Sequence, residues 1–467
     1  MLRESGGVRY VSTTPKITFY GGIDTIGGTK IAIEEGGYRI IFDFGATYSP
    51  SEDLIGGRIH ARSGDAGLRD LVTMGYTPAL DGLYRPGAAE KLGLEPGRGE
   101  KTQIFISHLH LDHMALLHLL SDDLPVWMHH ESLRLFRAVA ATGEEPVVPV
   151  GARGFEWGQV IEVGPMKVTP VAVDHDIPGA SALLIETSAG TVVYTGDLRR
   201  HGPNPELVDQ FIEAAKATHP RILLIEGTRL GEAEFYPDRK PTIPEADVAG
   251  RFVELLQGRQ GLALTTLYPR NPLRIANIVK VLPTVGRVLA LSPEMAHIYG
   301  AMGYDLQDVV LYLRSKDQDL LTAGTAPGWL NALLSQGVRT VDAEAVRADQ
   351  SRYLLQLFYW DLPELVDMKP AEGSLFIHSN GEPLGRFDPA YELFLRWLAH
   401  FQLELASVPS TGHASHEDLI SIVEGIAPDI LMPIHSKTPE RMEVAGQARV
   451  MPELGAMYDI ATGQKIG

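Results

Sequence analysis

Ser107-His108-Leu109-His110-Leu111-Asp112-His113 decides how this chain is read. Residues 103–107 before it are mostly apolar and predict a buried strand; residues 114–120 after it are apolar and predict the start of a helix. Four ligand-type side chains therefore fall within six residues at a strand end. In an extended turn His108 and His110 alternate so that both can grip one metal ion. Asp112 and His113, at the start of the following helix, can grip a second. Imidazole nitrogen and carboxylate oxygen suit zinc or manganese.

The pattern around this motif changes along the chain. Residues 17–23, 30–34 and 38–44 predict a β-meander, with Gly36-Gly37 as the turn between the last two. Residues 46–100 are rich in Gly, Pro and Arg and have weak periodicity, which predicts a long functional loop. Further strands are expected at 160–163, 167–174, 182–186, 191–195 and 221–226, with Ser188-Ala189-Gly190 as a hairpin loop. From about residue 230, helical patterns alternate with short buried strands: 246–256 then 262–266, and 272–281 then 287–291. That alternation predicts βαβ units on a parallel sheet. A strand at 403–408 leads into a second histidine cluster, followed by a helix with Ser415 at its cap and Asp418 three residues on. A strand at 429–434 ends in His435. The block 230–402 thus reads as inserted between 1–229 and 403–467.

Composition bounds the rest. The 467 residues, at roughly 150 per domain, predict two or three domains. With 44% hydrophobic and 21% charged residues a sizeable core is available, and a disordered or fibrous chain is excluded. There is no cysteine, so disulfides and thiolate metal sites are excluded. The first fourteen residues have no apolar targeting core, and no run of apolar residues is long enough to span a bilayer. The expectation is a cytoplasmic protein without a membrane partner. The 59 acidic against 41 basic residues give a net charge of −18, which repels nucleic acid at long range.

The motif resembles the HxHxDH signature of the metallo-β-lactamase superfamily. Its other ligands match in order, each after a predicted strand: Asp43 in Ile-Ile-Phe-Asp, His175 in Val-Asp-His-Asp-Ile-Pro, Asp197 in Thr-Gly-Asp and His435 in Met-Pro-Ile-His. The resemblance implies an α/β fold, the αββα metallo-β-lactamase sandwich. It also implies two divalent metal ions, Zn or Mn. It assigns His108, His110 and His175 to one ion and Asp112, His113 and His435 to the other, with Asp197 bridging. Asp43 would orient the first histidines from behind.

The inserted block narrows the resemblance to the β-CASP nuclease branch, ribonuclease J-like, without a further C-terminal domain because the chain stops at Gly467, soon after His435. Its motifs match at Glu226 in Leu-Ile-Glu-Gly-Thr and at His413 in Gly-His-Ala-Ser, with His435 last. The implied reaction is hydrolysis of phosphodiester bonds in single-stranded RNA, endo or 5′-exo, by a two-metal hydroxide mechanism. It leaves a 5′-phosphate and a 3′-hydroxyl. Asp112, Asp197, Glu226 and His413 are the implied catalytic residues, with His413 as general acid held by Glu226. Two rivals are a β-CASP nuclease acting mainly on single-stranded DNA and a small-molecule metallo-hydrolase. The last histidine favours RNA in this family, and the inserted block disfavours a small substrate. Ser415, Arg270 and Arg274 are candidate phosphate contacts, and Arg199, Arg200, Arg229 and Lys437 could also line the cleft. His118, His129, His130, His416, Tyr359 and Trp360 are read as ordinary structural or surface residues. A homodimer is compatible with the resemblance.

Overall fold

The computed structural model describes residues 14–47, 49, 53–55, 59–97, 99, 101–144, 146–232 and 241–467. The opening segment read above for a targeting signal lies outside them, except for Thr14. Two sheets stack face to face. The first has strand order Met457–Asp459, Lys16–Gly21, Lys30–Glu35, Tyr38–Phe42, Thr102–Phe105, Val126–His129, Ala152–Phe155. It begins antiparallel and turns parallel from Tyr38–Phe42 onward. Gly36 and Gly37 make the expected two-residue turn. Both have positive φ, 58° and 82°, which a hairpin of this length needs.

The second sheet runs Ile430–Ile434, Ile222–Glu226, Gly190–Tyr194, Ser181–Thr187, Met166–Ala172, Ile161–Val163. Its first three strands are parallel and the others antiparallel. Alternation along the strands explains the stacking. Ile40 and Phe42 join Phe105, Ile185, Val192 and Leu224 in the core between the sheets, whereas Ile41 and Ile104 join the outer core with Leu133 and Phe136. Helix His130–Ala141 covers the first sheet, and helices Glu206–Ala217 and His416–Ile426 cover the second. The result is an αββα sandwich. Each fully buried Leu, Ile or Phe in it contributes about 1.5–3 kcal/mol.

The inserted block forms a third sheet, parallel throughout, ordered Thr340–Val341, Val309–Tyr312, Val288–Leu291, Tyr353–Gln356, Ala263–Thr266, Leu375–His378, Glu404–Ser407. Apolar clusters cover both faces, as a parallel sheet requires.

Three expectations are corrected. Glu404–Ser407 pairs in parallel with Leu375–His378, so this strand belongs to the third sheet and not to the last part of the sandwich, 403–467. Residues 46–100 are not one irregular loop: Asp65–Thr73 and Pro86–Glu90 are helical, and Leu68, Leu71, Ala88 and Ala89 join the outer core. The expected helix at 114–120 is a single turn, Leu111–Met114, followed by a 3-10 turn, Leu117–Leu119. The strand Val126–His129 and the helix after it were not anticipated.

Candidate metal centre

The candidate ligands all sit just beyond strand ends at one rim of the sandwich. His108 and His110 follow Thr102–Phe105, Asp197 follows Gly190–Tyr194, His175 follows Met166–Ala172 and His435 follows Ile430–Ile434. Two of the turns need unusual backbone. Asp43 and His435 have φ of 58° and 51°, conformations that non-glycine residues rarely adopt and that concentrate at functional sites. Glycine makes room for the motif's carboxylate: a Cβ on Gly45 would lie 1.7 Å from the Asp112 carbonyl oxygen, and one on Gly27 would lie 2.5 Å from Asp112 Cβ.

The tertiary fold brings the sequence-predicted ligands into two adjoining groups. His108, His110, His175 and Asp197 offer ligand atoms within 4.8 Å of one another, and so do Asp112, His113, Asp197 and His435. In the first group His110 Nδ1 lies 3.1 Å from His108 Nε2 and 3.0 Å from His175 Nε2. In the second, His113 Nε2 lies 3.1 Å from Asp197 Oδ2, and His435 Nε2 lies 3.1 Å from Asp112 Oδ2. Asp197 is common to both.

These groups fit a pair of divalent ions on an observation independent of any motif. Among the described residues, His113 Nε2 and both Asp197 oxygens are buried without a hydrogen-bond partner. The 3.1 Å approach between two of them is not aligned as a hydrogen bond. Orphaned buried polar atoms that converge in this way are costly unless a cation satisfies them.

The outer nitrogens are held as metal-binding histidines require. His108 Nδ1 meets Ser107 Oγ at 3.0 Å, His113 Nδ1 meets Asp43 Oδ2 at 2.7 Å, His175 Nδ1 meets the Gly412 carbonyl at 2.6 Å, and His435 Nδ1 meets Thr228 Oγ1 at 2.9 Å. Asp43 thus holds His113 directly and reaches His108 only through Ser107, whose amide and hydroxyl both donate to it. Tyr194 also donates to Asp43.

Electrostatics keeps the first group receptive. Burial, reinforced by neighbouring histidines, holds His108 well below the ordinary imidazole range. Burial pushes His175 down to about 3. Neutral imidazoles have free lone pairs for a metal. In the second group burial opposes the imidazolium form of His113, but Asp197, Asp112 and Asp43 together raise it well above the usual range. Asp197 stays ionised against its burial because His435, His113 and His413 surround it.

His413 and Glu226 form a third element beside Asp197. His413 Nδ1 lies 3.2 Å from each Glu226 oxygen and 3.8 Å from Asp197 Oδ2. Burial disfavours its charged form, but Glu226 and then Asp197 outweigh that and raise His413 to about 9. Glu226 is itself buried, and it accepts from the Leu198 and Thr228 amides at 3.4 and 3.0 Å.

The expected phosphate contacts are placed differently. Arg274 is 2% exposed and paired to Glu245 through Nε, at 2.7 Å, and Nη2. Arg270 is buried, donating to the Leu109 carbonyl at 2.7 Å. Arg199 is buried between Asp174, Glu245 and the Thr411 carbonyl. Arg200 pairs with Asp209 and Arg229 with Glu232. Ser415 closes a capping box with Asp418. Arg199 and Arg270 join the sandwich to the inserted block, and together these arginines do not present a row of unpaired cations. The reason is local: each guanidinium has a carboxylate or carbonyl closer than any open surface.

Sequence reasoning missed three groups at the rim. Asp176 contacts His110, Thr228 holds His435, and Tyr268 from the inserted block places its ring 5.5 Å from that of His110. Only Asp176 had a usable signal, an acid next to a ligand histidine. His129, His130 and Glu156 also cluster. There His129 caps a helix and stacks on Trp157, with ring centroids 3.9 Å apart, in line with the structural role expected of it.

Paired histidine–carboxylate groups at the strand ends of an αββα sandwich define a metallo-β-lactamase-fold centre. Comparison with known families matches residues 83–263 to the beta-lactamase superfamily domain. The chain is similar to ribonuclease J of Mycolicibacterium smegmatis, 24% identical over 90% of this chain and 68% of the relative. It is also similar to ribonuclease J of Pyrococcus abyssi, 21% identical over 90% of each. It spans 56% of the ribonuclease J of Helicobacter pylori, at 20% identity. Among solved structures, a protein of unknown function from Enterococcus faecalis superposes with a TM-score of 0.76 at 30% identity, covering 95% of this chain and 99% of that one. Residues 83–263 thus match the beta-lactamase superfamily domain, and over most of its length the chain resembles ribonuclease J, as the sequence motifs imply.

Proposed function

We propose that this protein is a metal-dependent nuclease that hydrolyses phosphodiester bonds of single-stranded RNA and leaves a 5′-phosphate and a 3′-hydroxyl. The observation that carries the reading is the His413–Glu226 pair beside Asp197. An alkoxide leaving group needs a proton, and a half-buried imidazole held in its charged form by a carboxylate is built to supply one. His108, His110, His175 and Asp197 would hold one divalent ion, zinc or manganese. Asp112, His113, His435 and Asp197 would hold the other. When bound, the ions supply Lewis-acid polarisation of the phosphoryl oxygens and a lowered pKa for the attacking water.

The chain's own groups do the rest. Glu226 grips His413 through Nδ1, which leaves Nε2 to give its proton to the departing 3′-oxygen as the P–O bond breaks. The Leu198 and Thr228 amides donate to Glu226 and fix it in place. The third sheet brings Tyr268 to the metal rim, and its ring beside His110 narrows the approach. Arg270 ties the same loop to the Leu109 carbonyl within the motif. Such a covered site suits an extended single strand better than a duplex.

The test is purified protein with 5′- and 3′-labelled RNA and DNA oligonucleotides in Mn²⁺, Zn²⁺ or Mg²⁺. RNA cleaved to 5′-phosphate products supports the reading. Preferential cleavage of DNA moves the substrate to the deoxy strand, and hydrolysis of small esters or lactams with neither polymer cut refutes it.

A further inference from the structure

Four of the five candidate metal-binding histidines have their outer nitrogen on a serine, a threonine, a backbone carbonyl or Asp43. The fifth, His110, turns its inner Nδ1 toward His108 and His175 and its outer Nε2 toward Asp176, whose Oδ1 lies 3.3 Å away. Asp176 is 8% exposed, and no described residue hydrogen-bonds that oxygen. A buried carboxylate oxygen without a donor is costly, so its retention beside His110 needs a reason. The same oxygen is 3.4 Å from His175 Nε2. Gly412 leaves the space for it, since a Cβ there would come within 2.7 Å of Asp176 Oδ1.

Asp176 Oδ1 thus faces two candidate ligand histidines, His110 at 3.3 Å and His175 at 3.4 Å.

We infer that Asp176 is a positioning residue for the first metal site, accepting from His110 Nε2–H. Once an ion withdraws electron density from Nδ1, the Nε2–H becomes a stronger donor, and the 3.3 Å contact is placed to become a charge-assisted hydrogen bond. Asp43 stands in the same relation to His113 at the second site.

This inference rests on the metal-centre reading above, and the test uses metal binding, not cleavage. Chelator competition with Zn²⁺ and Co²⁺ on the full chain measures the two sites, and the visible Co²⁺ spectrum reports the coordination of each. Asp176→Asn keeps the shape and removes the charge. The expected result is a loss of about 10- to 100-fold in affinity at one site, the usual cost of losing such an outer partner. The other site and the stoichiometry at saturating metal stay unchanged, and Asp176→Glu recovers part of the loss. In ¹⁵N-histidine spectra of the wild-type protein, metal loading should move the His110 Nε2–H downfield as its hydrogen bond to Asp176 tightens, a measurement that needs no variant. Two tight sites in the wild type with unchanged affinities and Co²⁺ spectrum in Asp176→Asn overturn the role of Asp176 alone. A wild type that binds no divalent metal overturns both this inference and the metal-centre reading.

Discussion

Glu226→Gln isolates the proton donor from everything else at the centre. The substitution keeps the side chain's size and removes the charge; its one carbonyl oxygen can still accept from either the Leu198 or the Thr228 amide, which donate to different oxygens of Glu226. Glu226 is the first of the groups that raise His413, from an ordinary value near 6.5 to about 9. Without it, burial pulls the imidazole back toward or below its ordinary range. At pH 8 a donor at 9 is about nine-tenths protonated and a donor at 6.5 about 3%, so cleavage should fall about thirtyfold. At pH 6 both forms are mostly protonated and the gap should nearly close. The sign follows from the acid role: activity is present below the folded pKa and lost as pH rises through it. The wild-type alkaline limb therefore lies near 9 and that of the variant two or more units lower. The assay is a pH–rate profile from pH 5.5 to 10 on a 5′-labelled RNA oligonucleotide at saturating Mn²⁺, repeated with a nitrophenyl phosphodiester whose leaving group needs no proton. A loss that is the same at pH 6 and pH 8, or the same on both substrates, would refute the donor role of His413.

Other outcomes follow from the same geometry. Gly412→Ala drives a methyl to within 2.5 Å of His175 Cε1, so it should strip metal from the first site while far-ultraviolet circular dichroism stays unchanged; full occupancy in a metal assay would count against the packing described. Arg274→Ala leaves Glu245 buried with only Arg199 as counter-charge and should cost about 3 kcal/mol in urea unfolding. It should not flatten the salt dependence of RNA binding, as it would if it were a phosphate contact. With a net charge of −18 and these arginines already paired, the bound ions are the main attractor for phosphate. Chelation should therefore abolish RNA binding as well as cleavage, and tight binding by metal-free protein in a filter assay would contradict this.

Much of the centre was legible because its chemistry is local in sequence. The run His108 to His113 places four ligands on one turn, and any strand-then-helix context orients them in two pairs. Asp43, His175, Asp197 and His435 were sought through the family resemblance, which implies further candidate ligands after strands in that order. The Gly36-Gly37 turn and the Ser415–Asp418 capping box were equally local. The helices within residues 46–100 were not, since Gly and Pro obscure their period and their apolar faces matter only once a sheet lies beneath them.

What the chain's order of residues determined by itself was the candidate pairs within His108–His113 and the alternation of strand and helix, both set by short-range spacing and side-chain chemistry. What only the tertiary structure decided was which charges are spent. Arg199, Arg270 and Arg274 look like phosphate contacts in a linear reading, yet each is buried against a carboxylate or carbonyl, and Arg199 and Arg274 converge on Glu245 from residues far apart in the chain. Asp176 looks like an incidental neighbour of His175 until the fold sets it against His110. The strand Glu404–Ser407 could belong to either domain by its own pattern, and its pairing with Leu375–His378 assigns it to the inserted sheet. The physical reason is common to all three: a charge or a strand edge is satisfied by whatever partner the folded chain brings nearest, and separation along the sequence does not reveal that partner.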